Sequence, residues 1–435
     1  MNKIIVMQEI SIKHIKEVWN HAGFQKYFRN TGWLFISRIV SMIITFLTTM
    51  FIARTLGPGN FGQLNYSLSF VGVISTLTTL GVDTVLYRDL IKNPTRKNEY
   101  MGSAFLIKLI GGILTTVLVI LSGLFLAEND VSKIIILILS GTFLFNAFQI
   151  IIYEFQAQVK SKYISIIGIF ITLILNTLKV LVLVNDRGVI YLAAILLLES
   201  ILYTSLYLYI YKEKLNGNIF EWKFNKKIAI VLLKDSWPII MAGAFGLIYG
   251  RIDQVLIKHL MNIVDVGIYS SAVAITEVWY FLPNIITSSL FPAIVNAKIT
   301  SEELYHSRMR KIVLLLLSIS LSTAIITTIF APFLINIIYG SAFMGASSIL
   351  RIYVWSNVGM FLGILSTIYL IAENKEKTLA FITFIPMITN VTLNLLWIPK
   401  FGLAGSAYAT LMSYSLGPIS LLFFRETRNI FFKRN

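Results

Sequence analysis

The sequence has no cysteine and only four histidines among its 435 residues. A chain without cysteine has no disulfide framework, no thiol nucleophile and no cysteine-based metal site. The histidines lie outside the long apolar runs or at their edges, and they form no cluster with metal-ligand spacing. The sequence also lacks a Gly-rich Lys-Ser/Thr nucleotide-binding stretch, so ATP is not expected to drive the protein directly.

Charged residues are scarce as well, since 13% of the chain is charged and 56% is hydrophobic. A soluble globule of this length needs more polar surface, so the composition predicts an integral membrane protein. In hydrocarbon every backbone N–H and C=O needs an internal partner, which leaves helices or a closed barrel. The apolar runs are continuous rather than alternating, which favours helices. The predicted fold class is therefore all-α.

Twelve apolar runs are long enough to cross about 30 Å of hydrocarbon. They form two groups of six, separated by a polar break at 212–227. The predicted spans are residues 33–53, 62–82, 101–127, 131–153, 162–184, 188–211, 236–257, 266–291, 310–333, 345–371, 378–398 and 402–424.

The distribution of Lys and Arg orients these spans. With the N-terminus inside, 27 of the 37 Lys and Arg residues fall in segments predicted to be cytoplasmic, and four fall in external loops. Cytoplasmic loops of membrane proteins carry the excess of positive charge, so both termini are predicted to be cytoplasmic. The net charge of +16 then reflects topology, and no nucleic-acid partner is expected.

Two alignments within the chain suggest a duplication. Residues from 158 onward align without gaps with those from 372 onward, and Phe61-Gly62 matches Val266-Gly267 at the front of the other half. An even number of spans in each half predicts two parallel lobes, related by a pseudo-two-fold axis along the membrane normal, around a central cavity. The predicted organisation is a cytoplasmic N-terminal segment (1–32), an N-lobe (33–211), a cytoplasmic linker (212–235), a C-lobe (236–424) and a cytoplasmic tail (425–435).

A few charged residues lie inside the predicted spans, where a charge costs about 2.5 to 3.5 kcal/mol and usually faces a cavity or a partner. Arg38 and Arg251 lie in the first helix of each lobe and would form a cationic cavity if both face inward. Snorkelling to lipid phosphates is the alternative for Arg38. Glu277, near the centre of the eighth helix, suits a proton carrier or a packing role. Asp253 is expected in an ion pair with another helix or in a functional role.

Other charged and proline residues leave alternatives open. Lys108 and Lys179 are long enough to snorkel, and a substrate role is the alternative for each. Asp83 and Arg88 follow the second helix in an amphipathic segment that could gate a cytoplasmic opening. Proline occurs in the spans of the second lobe only, so bending is expected there, especially around Pro283.

A set of short motifs extends over nearly the whole chain. They are Ala53-Arg54-Thr55-Leu56-Gly57-Pro58-Gly59-Asn60-Phe61-Gly62, Leu80-Gly81-Val82-Asp83, Trp237-Pro238, Arg251-Ile252-Asp253-Gln254, Gly267-Ile268-Tyr269-Ser270-Ser271-Ala272 and Asn394-Leu395-Leu396-Trp397-Ile398-Pro399-Lys400-Phe401-Gly402-Leu403-Ala404-Gly405-Ser406-Ala407. As a set, they resemble the polysaccharide-transporter family of lipid-linked oligosaccharide flippases, within the multidrug/oligosaccharidyl-lipid/polysaccharide exporter superfamily.

The resemblance implies a flippase for undecaprenyl-pyrophosphate-linked oligosaccharide repeat units of O-antigen, capsule or a similar surface polysaccharide, including lipopolysaccharide. It implies transfer from the cytoplasmic to the outer face of the bacterial inner membrane, by alternating access driven by a proton or sodium gradient. No cofactor and no enzymatic activity are implied. The implied partners are the lipid-linked oligosaccharide and membrane lipids, with polysaccharide polymerase and chain-length machinery as further ones.

Three groups of candidate residues follow from the resemblance and from the charges inside the spans. The candidates for binding pyrophosphate or sugar are Arg38, Arg251, Arg351 and Lys179. The candidates for ion coupling are Glu277 and Asp253. The candidates for gating are Asp83 and Arg88. Arginine has a planar fork of donors that matches phosphate oxygens, which supports the first group.

Two other functions compete with this interpretation. A cation-coupled drug or small-molecule exporter of the same superfamily would predict a cavity dominated by carboxylates, whereas the candidate cavity charges here are mostly arginine. A polymerase or glycosyltransferase would need a long external loop or a carboxylate-rich metal site near a membrane face. No predicted external loop exceeds about fifteen residues.

Overall fold

The computed structural model of the protein describes residues 22–75, 78, 81–126, 130–373 and 375–420, and every regular element in these residues is a helix. The α-helices are α1 (Ala22–Ile74), α2 (Val82–Lys92), α3 (Lys97–Leu126), α4 (Asp130–Ser140), α5 (Thr142–Asn146), α6 (Ile150–Ala157), α7 (Ser161–Val184), α8 (Val189–Leu215), α9 (Lys226–Leu260), α10 (Ile263–Val278), α11 (Phe281–Thr300), α12 (Glu302–Tyr339), α13 (Ala346–Tyr353), α14 (Ser356–Ala372) and α15 (Glu376–Ser420). The predicted all-α class is confirmed. The predicted tail (425–435) and residues 1–21 of the predicted N-terminal segment lie outside the described residues.

Eight of the described helical stretches are long and apolar enough to cross a membrane, or nine if the pair α13 and α14, bent by 43°, is one span. The described residues therefore contain fewer separate crossing helices than the twelve predicted. Part of the difference lies in the two longest helices. At about 1.5 Å per residue, a 45-residue helix such as α15 extends over roughly 68 Å, about twice the length that one crossing needs.

A glycine with a positive φ interrupts each of these two long helices. Gly57 has φ 66° within α1, and Gly402 has φ 60° within α15. This backbone conformation strains any residue that carries a Cβ atom. Pro58 follows Gly57 directly, and proline suits the first turn of a new helix because its φ is preset and its missing N–H has no partner there. Both glycines lie at boundaries between predicted spans.

The predicted eighth span is broken close to its middle. Helix α10 ends at Val278 and α11 begins at Phe281, with Trp279 and Tyr280 between them. Pro283 lies four residues after Trp279, where its ring conflicts with the carbonyl group of Trp279 and removes one helical hydrogen bond. The break therefore lies just before Pro283, the proline around which bending is expected.

Two opposite ends of the helical bundle serve as reference faces. The near face is the end at which Asn30 donates a hydrogen bond to Ser161 Oγ (3.0 Å) and Lys160 Nζ donates one to the carbonyl of Lys214 (3.1 Å). The far face is the end that contains Gly57, Gly340 and Gly402.

The buried apolar residues form one shared core and two separate ones. The core toward the far face combines residues of both halves of the chain, from Ile52 to Ala193 and from Ile257 to Ala407. Toward the near face, one core contains residues between Val82 and Leu232, and another contains residues between Ala242 and Ile382. The two halves thus share a core at the far face, whereas toward the near face their cores are separate and they meet where Gly81 packs against Ile240 of α9.

We expect Gly359→Ala to destabilise the C-terminal half. A Cβ atom at Gly359 would lie 2.4 Å from the carbonyl oxygen of Tyr414, so α14 and α15 would have to move apart. Overpacking of this kind costs about 1 to 3 kcal/mol. Thermal unfolding in detergent, followed by size-exclusion chromatography, measures the change in Tm.

Gly363→Ala is the matched control, one turn further along α14. A Cβ atom there would meet no atom within 4 Å. The change should leave Tm unaltered or raise it slightly, because alanine favours a helix over glycine by about 1 kcal/mol. Equal Tm values for the two variants would contradict the tight contact between α14 and α15.

Candidate functional site

A cavity of about 470 Å³ lies between the two halves. One wall is the part of α1 from Thr31 to Met42, and the other consists of Glu277 of α10, Tyr280 and the first turns of α11. The polar residues of its lining are Thr31, Arg38, Glu277, Tyr280, Asn284 and Ser289. The break in the eighth span therefore opens directly into this cavity.

Arg38 is exposed to this cavity on the face of α1 that looks toward α11. Among the described residues, no carboxylate lies within ion-pair distance of its guanidinium. The structure brings Arg38 and Glu277 into the same cavity, although they come from different halves of the chain. A guanidinium without an acidic partner is suited to an anion, and to phosphate oxygens in particular.

Arg251 reaches the same region through an ion pair. Its Nη2 atom lies 3.4 Å from Oε2 of Glu277, and both side chains are partly exposed. The pair connects α9 with the last turn of α10. Arg251 and Glu277 therefore neutralise each other in this structure, and an anion that binds Arg251 would compete with the carboxylate of Glu277.

Asp253 faces away from Arg251 and lies in the interior of the C-terminal half, where it is only 1% exposed. Its Oδ1 atom accepts a hydrogen bond from the backbone N–H of Gln254 (3.0 Å). Its Oδ2 atom accepts one from the hydroxyl of Tyr269 (2.6 Å) and lies 3.5 Å from Oγ1 of Thr410. No described Lys, Arg or His forms an ion pair with this carboxylate.

A chain of neutral polar side chains continues from Asp253 into α15. Asn390 donates hydrogen bonds to Thr410 Oγ1 (3.4 Å) and Ser413 Oγ (3.2 Å). Asn394 donates one to Asn390 Oδ1 (3.1 Å) and accepts one from Ser406 Oγ (2.6 Å). All of these residues are buried, and the hydroxyls of Tyr269 and Thr410 place two neutral oxygen atoms beside the carboxylate of Asp253. Oxygen atoms are the ligands that hard cations prefer.

The other two candidates for substrate binding lie away from the cavity lining. Lys179 of α7 is largely buried and pairs with Glu199 of α8, with 3.7 Å between Nζ and Oε2. Arg351 of α13 is exposed and does not line the cavity. The structure therefore brings two of the four candidates, Arg38 and Arg251, close to Glu277.

The two gating candidates lie on the amphipathic helix α2 and form ion pairs. Nζ of Lys108, which is 2% exposed, lies 2.6 Å from Oδ1 of Asp83. Arg88 lies 2.8 Å from Asp89 and 2.8 Å from Asp235 at the start of α9. Hydrogen bonds to these two carboxylates raise the pKa of Arg88 above its ordinary value. The ion pair between Arg88 and Asp235 connects α2 with the N-terminal part of α9, on the near-face side of the bundle.

The sequence did not single out the polar chain of α15. Asn394 is part of a family motif, and nothing in the sequence pattern links Asn390 to a partner. A usable signal was present, because two asparagines four residues apart lie on one face of an otherwise apolar helix. Their partner hydroxyls come from Ser406 and Thr410, which are also four residues apart.

The sequence from residue 27 to residue 298 matches the family model described as "Polysaccharide biosynthesis protein". The chain belongs to the polysaccharide biosynthesis protein family. This polysaccharide biosynthesis protein is 22% identical over 406 residues to the capsular polysaccharide biosynthesis protein CapF of Staphylococcus aureus, covering 91% of this chain and 98% of the relative. It is also 22% identical over 397 residues to the probable low-salt glycan biosynthesis flippase Agl15 of Haloferax volcanii, covering 89% of this chain and 80% of the relative.

Solved structures show that this family member has the fold of known membrane transporters. The inward-facing conformation of a multidrug resistance MATE family transporter aligns with a TM-score of 0.71 at 13% identity, covering 89% of this chain and 94% of the other. The lipid II flippase MurJ in an inward closed conformation aligns with a TM-score of 0.67 at 18% identity, covering 91% and 87%. The protein is therefore a multi-pass membrane protein with a MATE-like and MurJ-like fold, and the second of the two relatives is named as a probable flippase.

We expect Lys108→Met to lower the stability of the N-terminal half substantially. The substitution leaves Asp83 without its partner, and breaking a buried ion pair in this way costs about 3 to 5 kcal/mol. Tm in detergent measures the loss, and the double variant Lys108→Met/Asp83→Asn should recover part of it.

Lys133→Met is the control for this prediction. Lys133 pairs with Asp130 at 3.8 Å, but Asp130 is 93% exposed, so little stability depends on that pair. If the Lys108 variant had the same Tm as the Lys133 variant, the ion pair between Lys108 and Asp83 would not stabilise the fold. A gating role would then be the better explanation for Asp83.

Proposed function

We propose that this protein is a flippase that moves an undecaprenyl-pyrophosphate-linked oligosaccharide across the membrane by alternating access. The observation that carries the proposal is the cavity between the halves, where Arg38 has no acidic partner within the described part of the chain, together with a far face at which the halves share a core. The relatives named for capsular polysaccharide biosynthesis and for glycan flipping support this class of cargo.

The chemistry of the cavity fits the two ends of such a cargo. The polyprenyl tail can stay in lipid, whereas the pyrophosphate needs a cation and the sugars need hydrogen bonds. Arg38 supplies the cation, and Asn284 and Ser289 supply polar groups on the opposite wall. Pyrophosphate that reaches Arg251 displaces Glu277 from its ion pair. Glu277 would in this way connect cargo binding with ion coupling.

The same proposal assigns the two faces. Most of the cations fall in segments that the positive-inside rule places in the cytoplasm, and these segments include the near-face residues Lys160, Lys214 and Lys298. The near face is then cytoplasmic, the membrane is the bacterial inner membrane, and both termini are cytoplasmic. Polysaccharide polymerase and chain-length proteins would act on the cargo after its release.

The proposal also includes twelve crossings in two parallel lobes. Twelve is reached when the kinked helices α1 and α15 count as two spans each, and when α10 with α11 and α13 with α14 count as one broken span each. The contact between Gly62 and Gly267 supports the pseudo-two-fold relation. A Cβ atom at Gly62 would meet Ile263 and Gly267, and one at Gly267 would meet Pro58 and Gly62. Pro58 and Gly62 correspond to Ile263 and Gly267 in the sequence repeat, so the two sets of contacts are equivalent.

A drug or small-cation exporter of the same superfamily is the alternative. Such a cargo needs a carboxylate that is available in the cavity. Glu277, which lines the cavity, is already paired with Arg251, and Arg38 adds a positive charge beside it that no described carboxylate neutralises. These charges favour an anionic cargo over a cationic one.

We further propose that Asp253 binds the coupling ion. A buried carboxylate without a cationic partner is costly, so a proton or a bound cation is needed to neutralise it. One carboxylate with two neutral oxygens beside it, the hydroxyls of Tyr269 and Thr410, suits a monovalent ion such as sodium or a proton.

We expect Arg38→Ala to reduce transport by about 10- to 100-fold, which corresponds to the loss of about 1.5 to 3 kcal/mol for a hydrogen bond to a charged group. A strain that lacks the chromosomal copy is complemented with each variant. Surface polysaccharide and the lipid-linked repeat units left on the inner leaflet are then measured.

Arg351→Ala is the matched control, because Arg351 is exposed and does not line the cavity. It should restore surface polysaccharide fully. Full complementation by Arg38→Ala, at equal protein level in the membrane, would remove Arg38 from the site. Normal display in the deletion strain itself, without a redundant flippase, would overturn the proposed function.

We expect sodium, but not choline, to raise the Tm of the purified protein, and Asp253→Asn to abolish this effect. At a sodium concentration about 100 times Kd, a single bound ion stabilises the folded protein by about 2.7 kcal/mol. Asp130→Asn, which changes an exposed aspartate, should retain the sodium response. If the Tm of the wild type depends on pH but not on sodium, and the Tm of Asp253→Asn depends on neither, the site binds a proton. An unchanged sodium response in Asp253→Asn would place the ion elsewhere.

A further inference from the structure

We propose that the crossing of Gly62 and Gly267 is the gate through which the far face opens. The inference rests on the proposed carrier function, because a carrier must expose its cavity on both sides in turn. In this structure the cavity lies where the halves separate, and the far face is closed by a core that both halves share. Release at the far face therefore requires the two halves to separate within that core. The seam is the contact surface between them around Gly62 and Gly267.

The contact between the two glycines is made by backbone atoms. A Cβ atom at Gly62 would lie 2.0 Å from the carbonyl oxygen of Ile263, and a Cβ atom at Gly267 would lie 2.0 Å from the carbonyl oxygen of Pro58. Real Cβ atoms do not approach an oxygen so closely, so closure depends on the absence of a side chain at both positions. The contact joins the second part of α1 to α10, and these belong to different halves.

A smooth backbone contact is suited to reversible separation. Side chains that interdigitate between two helices would have to be withdrawn before the helices could separate. Gly62 and Gly267 have no side chains to withdraw. Small residues let helices in membranes approach closely, and the interaction is then mainly van der Waals contact. Such contact is lost gradually as the surfaces move apart, without an unpaired polar group.

Two further contacts hold the seam closed. The guanidinium of Arg54 donates a hydrogen bond from Nε to the carbonyl of Ile338 (2.8 Å) and another to the carbonyl of Ile337, at the C-terminal end of α12. These carbonyls have no partner within their own helix and carry the negative end of its dipole. Phe61 packs against Tyr339 (6.3 Å between ring centroids) and edge-on against Phe343 (5.9 Å).

The Arg54 contact is reversible because Arg54 is exposed. Water can replace both the guanidinium and the carbonyls when the seam opens, so neither group is left unsatisfied.

A disulfide across the seam tests the gate directly, because the chain has no native cysteine. A Cβ atom at Gly59 would lie 4.0 Å from Cγ2 of Val264, so cysteines at these two positions come within reach of each other. In the double variant Gly59→Cys/Val264→Cys, oxidation should stop surface polysaccharide display, and a reductant should restore it. Display at the wild-type rate while the cross-link is complete would overturn the gate.

A side chain placed in the seam provides a second measurement that needs no cargo. Met42→Cys adds one thiol to the cavity lining, and an impermeant maleimide is applied to either face of membrane vesicles. Gly62→Ala or Gly267→Ala in this background should increase labelling from the far face by about tenfold, which corresponds to a shift of about 1.4 kcal/mol between the two states.

Gly243→Ala is the control for this measurement, because a Cβ atom there would meet nothing within 4 Å and labelling should stay unchanged. Equal labelling of the Gly62 and Gly243 variants would overturn the proposal. If the cross-linking and labelling results are as expected but no lipid-linked oligosaccharide accumulates in the deletion strain, the gate is supported and the proposed cargo is wrong. If the cargo accumulates but the seam stays closed in both tests, the function stands and the gate lies elsewhere.

Discussion

The joint between the two halves at the far face is the constraint on which the rest of the structure depends. Gly62 and Gly267 bring two helices into backbone contact, and an apolar core continues around them from one half to the other. Lipid chains are as apolar as leucine, so helices in a membrane associate through close packing rather than through exclusion of water. Because the halves are joined here, their cores separate toward the near face, and the cavity lined by Arg38 and Glu277 is the space between them.

Whether a charge lies inside one half or faces the cavity between the halves distinguishes a structural charge from a functional one. Lys108 and Lys179 lie inside the N-terminal half and have acidic partners, Asp83 and Glu199. Arg38 faces the cavity and has no such partner among the described residues. Removing a charge from water without a partner is costly, so a charge that stays unpaired in a bundle of helices marks the place where a ligand or an ion supplies the partner.

Several elements were predictable because their cause is local. Pro283 breaks the eighth span through its own ring, and Gly57 and Gly402 interrupt helices because only glycine adopts their φ without strain. The polar network around Asp253 was not predictable in the same way. Its members belong to α9, α10 and α15, and Asp253 and Thr410 are 157 residues apart. A single hydroxyl or amide in an apolar run gives no indication of its partner, because that partner lies on another helix.

The sequence by itself determined the membrane class, the all-helical fold and the set of charges inside the helices, because composition and continuous apolar runs leave no other solvent or secondary structure. The motifs around Gly62 and Gly267 also indicated a duplicated chain. Only the tertiary structure decided that Arg251 pairs with Glu277, that Lys179 pairs with Glu199 within the N-terminal half, and that Arg351 does not line the cavity. The physical reason is that the rotation of each helix is set by its packing against other helices, and this rotation decides whether a charge faces the cavity, a partner or lipid.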